Sequence, residues 1–406
     1  MKRKRNIAIL GTLDTKGSEV AFMRQLVEER GYSALIIDLA PLEHPPVPGL
    51  PKEEVFRWKV SKRSIEREKI MKAMGAWAGE RLLGFYREGK LDGVVALGGN
   101  QGSAVASMAM RGLPFGFPKY LVSTVASGNI RPYVGCKDIG VIFSVGDFLG
   151  GPNAVTRSIL SNAVSAVIGM VEHGRGVAVA PGKRTIAITA LGNTEPAVQR
   201  AVVFLKEKGF QVVPFHASGA GGSAMEELVE EGMIDGVLDL TPHELTEEVV
   251  GAGAYIPVKP GRLKAAGAKA IPQVISTGGM EYLCFGPRES IPIRLRSRKI
   301  YMHNPYNANV KVSRREMARV AETMAERVNE ARGPVAIVVP LRGWSIYGAK
   351  GGPLHDEVGY RVFLRALRQR LRDGIVLEEV DAHINDRAFV DRCVNRLAGF
   401  MNEKKK

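Results

Sequence analysis

Three short stretches of this 406-residue chain combine glycine with hydroxyl and amide side chains, the combination a phosphate group requires. The first is Gly11-Thr12-Leu13-Asp14-Thr15-Lys16-Gly17. Glycine lets backbone approach a ligand closely, and free N–H groups at a helix N-terminus attract an anion. Thr12 and Thr15 add hydroxyl donors, and Lys16 adds a point charge. The second is Gly98-Gly99-Asn100-Gln101-Gly102-Ser103, with more glycine than a turn needs. The third is Ser123-Thr124-Val125-Ala126-Ser127-Gly128. None has Walker A or G-x-G-x-x-G spacing, so helix capping by Thr15 or Ser18, and ordinary tight turns, stay open as readings.

The second half offers acid/base groups. His216 heads another glycine loop, Gly219-Ala220-Gly221-Gly222, before a helix containing Glu226. Asp239, His303, Asp381 and His383 also follow strand-like runs. A histidine beside a carboxylate exchanges protons near neutral pH. His216, His383, Asp239 and Asp381 are therefore the candidate catalytic residues, around an anion held at residues 219–222. The competing reading is that strand-end histidines satisfy local backbone. No H-x-x-x-H, H-E-x-x-H or C-x-x-C spacing is present, and no metal ligand is assigned.

Such loops need strands to end them. In the first half, short β-branched runs at Ile7–Leu10, Ala34–Leu39, Gly93–Leu97, Tyr120–Thr124 and Ile139–Val145 alternate with helical patterns near 18–30, 64–88, 102–111 and 153–172. In the second, strands are expected at Thr185–Ala190, Val212–His216, Gly236–Leu240, Gln273–Ser276, Lys299–His303, Pro334–Pro340 and Val376–Val380. Helical patterns fall near 195–208, 222–231, 313–331, 356–372 and 386–402. Near-continuous apolar strands alternating with helices predict mostly parallel sheets covered on both faces. The fold class is α/β, with two Rossmann-like domains at 1–178 and 179–406. Ligands of such sheets sit beyond the carboxyl ends of the strands.

The halves echo one another. Ile7-Ala8-Ile9 matches Ile186-Ala187-Ile188, and Val122-Ser123-Thr124 matches Ile275-Ser276-Thr277, in the same order. An internal duplication is the expectation. Five prolines between Pro41 and Pro51 mark residues 41–61 as an insertion or lid.

Composition narrows the function classes. Hydrophobic residues make up 45% and charged residues 24% of the chain, the globular norm. No apolar run of membrane-spanning length and no secretory signal is legible, so a cytoplasmic protein without a membrane partner is expected. Cys136, Cys284 and Cys393 are too far apart in sequence to suggest a disulfide framework. The net charge is +15, and the basic runs Lys2–Arg5 and Lys404–Lys406 carry seven of those charges. The remainder favours small anionic ligands. Nucleic acid is disfavoured, because no zinc finger, RNP pattern or basic helix with interleaved aromatics is found.

Beyond these generic signals, the chain resembles a family of mostly uncharacterised bacterial, archaeal, fungal and plant proteins. That family includes the N-terminal, ATP-binding domain of the tomato mosaic virus resistance protein. The resemblance is carried by Gly11–Gly17, by Ser123–Gly128 with Pro132-Tyr133-Val134-Gly135, and by Asp147, Asn153, Arg157 and Asn162. In the second half it is carried by His216–Glu226, Asp239-Leu240-Thr241, His303-Asn304-Pro305, Pro340-Leu341-Arg342-Gly343 and Asp381–Asp386. It implies two Rossmann-like subdomains, nucleotide in the cleft loops, and self-association as a homodimer or higher homo-oligomer. It implies no known reaction. The stretch 98–103 departs from the Ser- and Gly-rich family version that ends in Thr.

The expected ligand is a nucleotide, ATP with magnesium as its companion ion. It would be held by Gly11, Thr12, Asp14, Thr15, Lys16, Gly17, Gly98, Gly99, Asn100, Gln101, Gly102, Ser103, Ser123, Thr124, Ser127 and Gly128. The alternative is an enzyme on a small carboxylate or phosphorylated metabolite, using the histidine and aspartate groups of the second half.

Overall fold

A computed structural model describes residues 3–41, 43–58, 66–178 and 182–403. The chain divides into two compact units, Met1–Ala178 and Val179–Lys406.

In the first unit, strands β1 (Asn6–Gly11), β2 (Ser33–Asp38), β3 (Val55–Arg57), β4 (Gly93–Gly98), β5 (Lys119–Ser123) and β6 (Gly140–Phe143) form one sheet in the order β3-β2-β1-β4-β5-β6. Every pairing is parallel. The helices are α1 (Leu13–Glu29), α2 (Arg67–Arg87), α3 (Asn100–Arg111), α4 (Arg131–Val134) and α5 (Ala154–His173). Ile7 and Ile9 pack with Val20 and Met23 of α1 and Leu160 and Val164 of α5. Ala8 and Leu10 pack on the opposite face with Ala78 of α2 and Val105 of α3. Alternate residues of one strand thus face two apolar layers, which is why β1 reads as continuously hydrophobic.

Strand β3 falls inside the proline-rich insertion, of which Leu42 and residues 59–61 lie outside the described residues. Its three residues pair with β2 and complete the Rossmann order. Helix α5 is long and apolar enough by length and composition to cross a membrane, which a search for unbroken apolar runs overlooks. Its Leu160–Val164–Val167 stripe is buried in the first unit's core.

In the second unit, strands β7 (Thr185–Ala190), β8 (Gln211–His216), β9 (Gly236–Asp239), β10 (Gln273–Ile275), β14 (Val335–Pro340) and β15 (Val376–Val380) form a second parallel sheet, ordered β15-β14-β10-β9-β7-β8. Matching β1, β2, β4, β5 and β6 to β7, β8, β9, β10 and β14 gives the same spatial order in both units. The two sequence echoes fall on matched strands, β1 with β7 and β5 with β10. Helices α6 (Glu195–Glu207), α7 (Ala220–Glu230), α8 (His243–Val250), α9 (Ala265–Ala268), α10 (Arg314–Asn329), α11 (Glu357–Arg370) and α12 (Arg387–Glu403) cover the sheet.

One departure matters for the site. The expected strand at 299–303 is β12 (Ile300–Asn304), and it belongs to a separate antiparallel sheet with β11 (Tyr282–Phe285) and β13 (Asn307–Lys311). His303 therefore sits on an antiparallel ribbon and not at the carboxyl edge of the parallel sheet.

Candidate functional site

In the first unit the switch point of the strand order lies between β1 and β4, and their carboxyl ends carry the first two glycine stretches. The third stretch follows β5, the next strand. The three meet. Thr124 N donates to Gly98 O (3.2 Å), and Ser103 Oγ donates to Ser123 Oγ (2.7 Å). A Cβ built on Gly102 would lie 3.8 Å from Thr12 Cγ2, and one on Gly99 would lie 3.6 Å from Thr124 Oγ1. Gly98 tolerates no side chain at all, since its Cβ would stand 2.5 Å from Ser103 N. Helix α3 opens at Asn100, directly after β4, with no side-chain cap on its first N–H groups.

The predicted residues divide there. Thr12 and Thr124 are half-buried and Thr15 is exposed, with the Thr12 and Thr15 hydroxyls 3.0 Å apart. Asn100 and Gln101 are exposed, but Asn100 Oδ1 accepts from Tyr133 and Gln101 Oε1 from Arg67. Asp14, Ser127 and Gly128 are exposed, and Gly11 is buried. Helix α1 starts at Leu13, five residues before the expected start, and a non-helical Lys16 kinks it. Lys16 is buried, and its ammonium donates to the Phe148 carbonyl. Gly17 is packed on Val47. Both take structural places here. Asp38, which sequence reading passed over, ends β2 and is buried. It accepts from Leu13 N (3.2 Å), Ala40 N (2.8 Å) and His44 Nε2 (2.8 Å) beside a cavity of about 420 Å³.

In the second unit the four candidate catalytic residues do not gather. Asp239 is fully buried, accepting from Thr189 Oγ1 (2.6 Å) and Arg262 Nη2 (2.7 Å). Asp381 is exposed and paired with Arg342. His383 Nδ1 accepts from Asn385 N, and Nε2 lies 3.0 Å from Ser345 O, so backbone occupies both ring nitrogens. His216 is in the wall of two open cavities, one of about 340 Å³ and one of about 710 Å³.

The glycine loop 219–222 is already filled. Glu244 Oε1 accepts from Gly219 N and Gly222 N, so the anion at this helix N-terminus is a side chain of the same unit. Glu244 Oε2 in turn accepts from Arg262 Nε (2.6 Å), and Arg262 also binds Glu226 and Asp239. One fully buried guanidinium thus holds three carboxylates. An external anion has no place left at these N–H groups.

The cavity of about 340 Å³ lies where β7 ends and the antiparallel ribbon begins. Asn193, His216, Tyr255, Tyr282, Cys284, His303 and Tyr347 are in its wall. Behind Cys284 stands a buried pair, His243 and Glu247, one turn apart on α8. His243 Nε2 lies 3.0 Å from Glu247 Oε1, and His243 Nδ1 lies 2.5 Å from Gly279 O. Glu247 also accepts from Cys284 N (2.6 Å) and Tyr255 N (2.5 Å). That wrapping requires Gly253, at φ +129°, whose Cβ would collide with the Glu247 carboxylate. Burial alone would lower the His243 pKa, but Cys284 and Glu247 beside it raise it well above its ordinary value. Burial pushes the Cys284 thiol up. This cluster was missed in the sequence, although His243 and Glu247 at i and i+4 on one helix face were its available signal.

The described residues form two Rossmann-like α/β units, each a parallel sheet of six strands covered by helices. This chain belongs to the uncharacterised protein family UPF0261. The model of the family's N-terminal domain matches residues 5–175 and that of its C-terminal domain residues 183–401. A UPF0261 protein of Clostridium tetani is 36% identical over 98% of this chain and 100% of its own length. The ToMV resistance protein Tm-1(GCR237) of Solanum lycopersicum is 36% identical over 76% of this chain, a match that spans 41% of the tomato protein. Among solved structures, MurG of Acinetobacter baumannii aligns over 98% of this chain at 11% identity and a TM-score of 0.24, too low to carry an argument.

Proposed function

We propose that the first unit binds a nucleotide, ATP foremost, with its phosphates at the carboxyl edge of the first sheet. The observation that carries this reading is the meeting of three glycine-bearing strand ends at the switch point between β1 and β4. In this reading the N–H groups opening α3 and the hydroxyls of Thr12, Thr15 and Thr124 take the phosphate oxygens. Exposed Asp14 is the carboxylate placed to hold a magnesium ion that arrives with the nucleotide. The nucleoside lies toward the cavity beside Asp38, the position from which a Rossmann acidic residue meets ribose. Calorimetric titration of the full chain with ATP and magnesium tests this. At a hundredfold excess over the dissociation constant, ATP should raise stability by about 2.7 kcal/mol. No heat and no thermal shift at millimolar ATP, ADP or GTP would refute it.

A second reading, an enzyme on a small carboxylate or phosphorylated metabolite, is favoured by the cavity beside His216 in the second unit. His216 is its acid/base candidate, since Asp239, Asp381 and His383 are engaged elsewhere. Mass spectrometry of small molecules released from the purified protein separates the two readings.

A further inference from the structure

We propose that His243, Glu247 and Cys284 form a site for a thiophilic divalent cation, zinc before others, with its remaining coordination position turned toward the cavity that Cys284 lines. The site lies wholly in the second unit and does not depend on the nucleotide reading.

The three donor atoms, a ring nitrogen, a carboxylate oxygen and a thiol sulfur, lie within 4.8 Å of one another. Zinc bonds of about 2.0–2.3 Å to N, O and S place such atoms roughly 3.5 Å apart. An ion would draw the widest pair in by about 1 Å, within reach of side-chain rotation about an entry already formed. The mixture of one sulfur, one nitrogen and one oxygen suits zinc and excludes magnesium or calcium, which take oxygen alone. On binding, the Cys284 thiol proton and the His243 Nε2 proton both leave to solvent, the neutral imidazole keeps its Nδ1 proton on the Gly279 carbonyl, and thiolate plus carboxylate balance the double charge of the ion.

Glu247 is on Nε2 of His243, and Nδ1 faces the Gly279 carbonyl. A backbone carbonyl on the second nitrogen is what orients a metal-binding histidine. Glu247 is likewise fixed from outside, its Oε2 accepting from Tyr255 N. Three residues are spoken for, and a fourth ligand must come from the cavity, where Asn193, His216 and Asn309 stand. The arrangement of three protein ligands and one open position is that of a reactive zinc centre, whose natural visitor is water or a substrate oxygen.

The test uses the full chain, stripped with chelator and reloaded with cobalt(II). One cobalt should bind per chain, with a thiolate-to-cobalt charge-transfer band that zinc abolishes by displacement. Cys284→Ser should lose the band and weaken cobalt binding at least about tenfold. Cys136→Ser and Cys393→Ser should keep it. In the wild-type chain, zinc should protect Cys284 from iodoacetamide, read by peptide mass spectrometry, so the outcome does not rest on a variant that folds. Failure of the wild-type chain to take up cobalt overturns the proposal. So does a band that survives in Cys284→Ser, or equal alkylation of Cys284 with and without zinc.

Discussion

Glu244 stands where a bound anion would stand at Gly222: its Oε1 accepts the Gly222 N–H at 3.1 Å, and a Cβ on Gly222 would fall 1.6 Å from its Oε2. The glycine that reads as a ligand cradle exists here to admit a side chain. Glu244→Gln breaks one buried ion pair and turns an amide N–H donor toward the Arg262 Nε or the Gly219 and Gly222 N–H groups, all donors themselves. The expected cost is about 3–5 kcal/mol, the range for breaking a buried ion pair. Chemical denaturation checks it, and a loss under about 1 kcal/mol would show the cluster to be dispensable.

Lys16→Met keeps the aliphatic stem and deletes the ammonium that binds Phe148 O. The unliganded protein should lose about 1–3 kcal/mol, because a buried carbonyl is left without its donor. Unchanged unliganded stability together with lost ATP affinity would instead return Lys16 to the phosphates.

Gly99→Val probes the nucleotide cleft from the opposite direction. Gly99 has ordinary backbone angles, and its Cβ would make only a van der Waals contact with Thr124. Folding should tolerate the change. The added methyls occupy the space between the β4 and β5 ends, so ATP affinity should fall by about tenfold or more, or 1.4 kcal/mol. Equal affinity in the variant would move the phosphates elsewhere.

Glu281 sets a pH dependence. Burial raises its pKa from 4.5 to about 7, against the opposing bond from Ser345 Oγ, and its Oε2 has no partner among the described residues. The folded chain therefore holds a proton that the unfolded chain has lost between those values. The stability due to this proton is complete below pH 4.5 and disappears as pH rises through 7, by about 3 kcal/mol at most. Glu281→Gln should flatten that part of the melting-temperature profile and raise the melting temperature at pH 8. A profile of unchanged slope would contradict it.

The layered architecture was legible because β1, β4, β7 and β14 are buried on both faces and leave continuous apolar runs. What escaped was short or locally ambiguous. β3 has three residues inside a proline-rich stretch, and β11 and β13 are brief strands whose partners only tertiary structure supplies. The three glycine loops of the first unit were placed correctly at strand ends. The chemistry of individual side chains was less legible, because spacing cannot say whether a polar group faces a cleft or a neighbour. Asp239 reads like a catalytic aspartate until Arg262 arrives from a segment 23 residues later. His243 and Glu247 were within one helical turn of each other, yet their third member, Cys284, comes from a strand of the other sheet.

The knot around Arg262 also bears on how this unit can change over generations. Glu226, Asp239 and Glu244 arrive from α7, β9 and α8 and share a single cation. Replacing Arg262 strands three buried carboxylates, and replacing any one of them leaves the other two on the cation, so no single step leads to an apolar version of this region. The three elements are bound to be inherited as a block, and variation that alters ligand preference has its freedom in the cavity wall and the antiparallel ribbon instead.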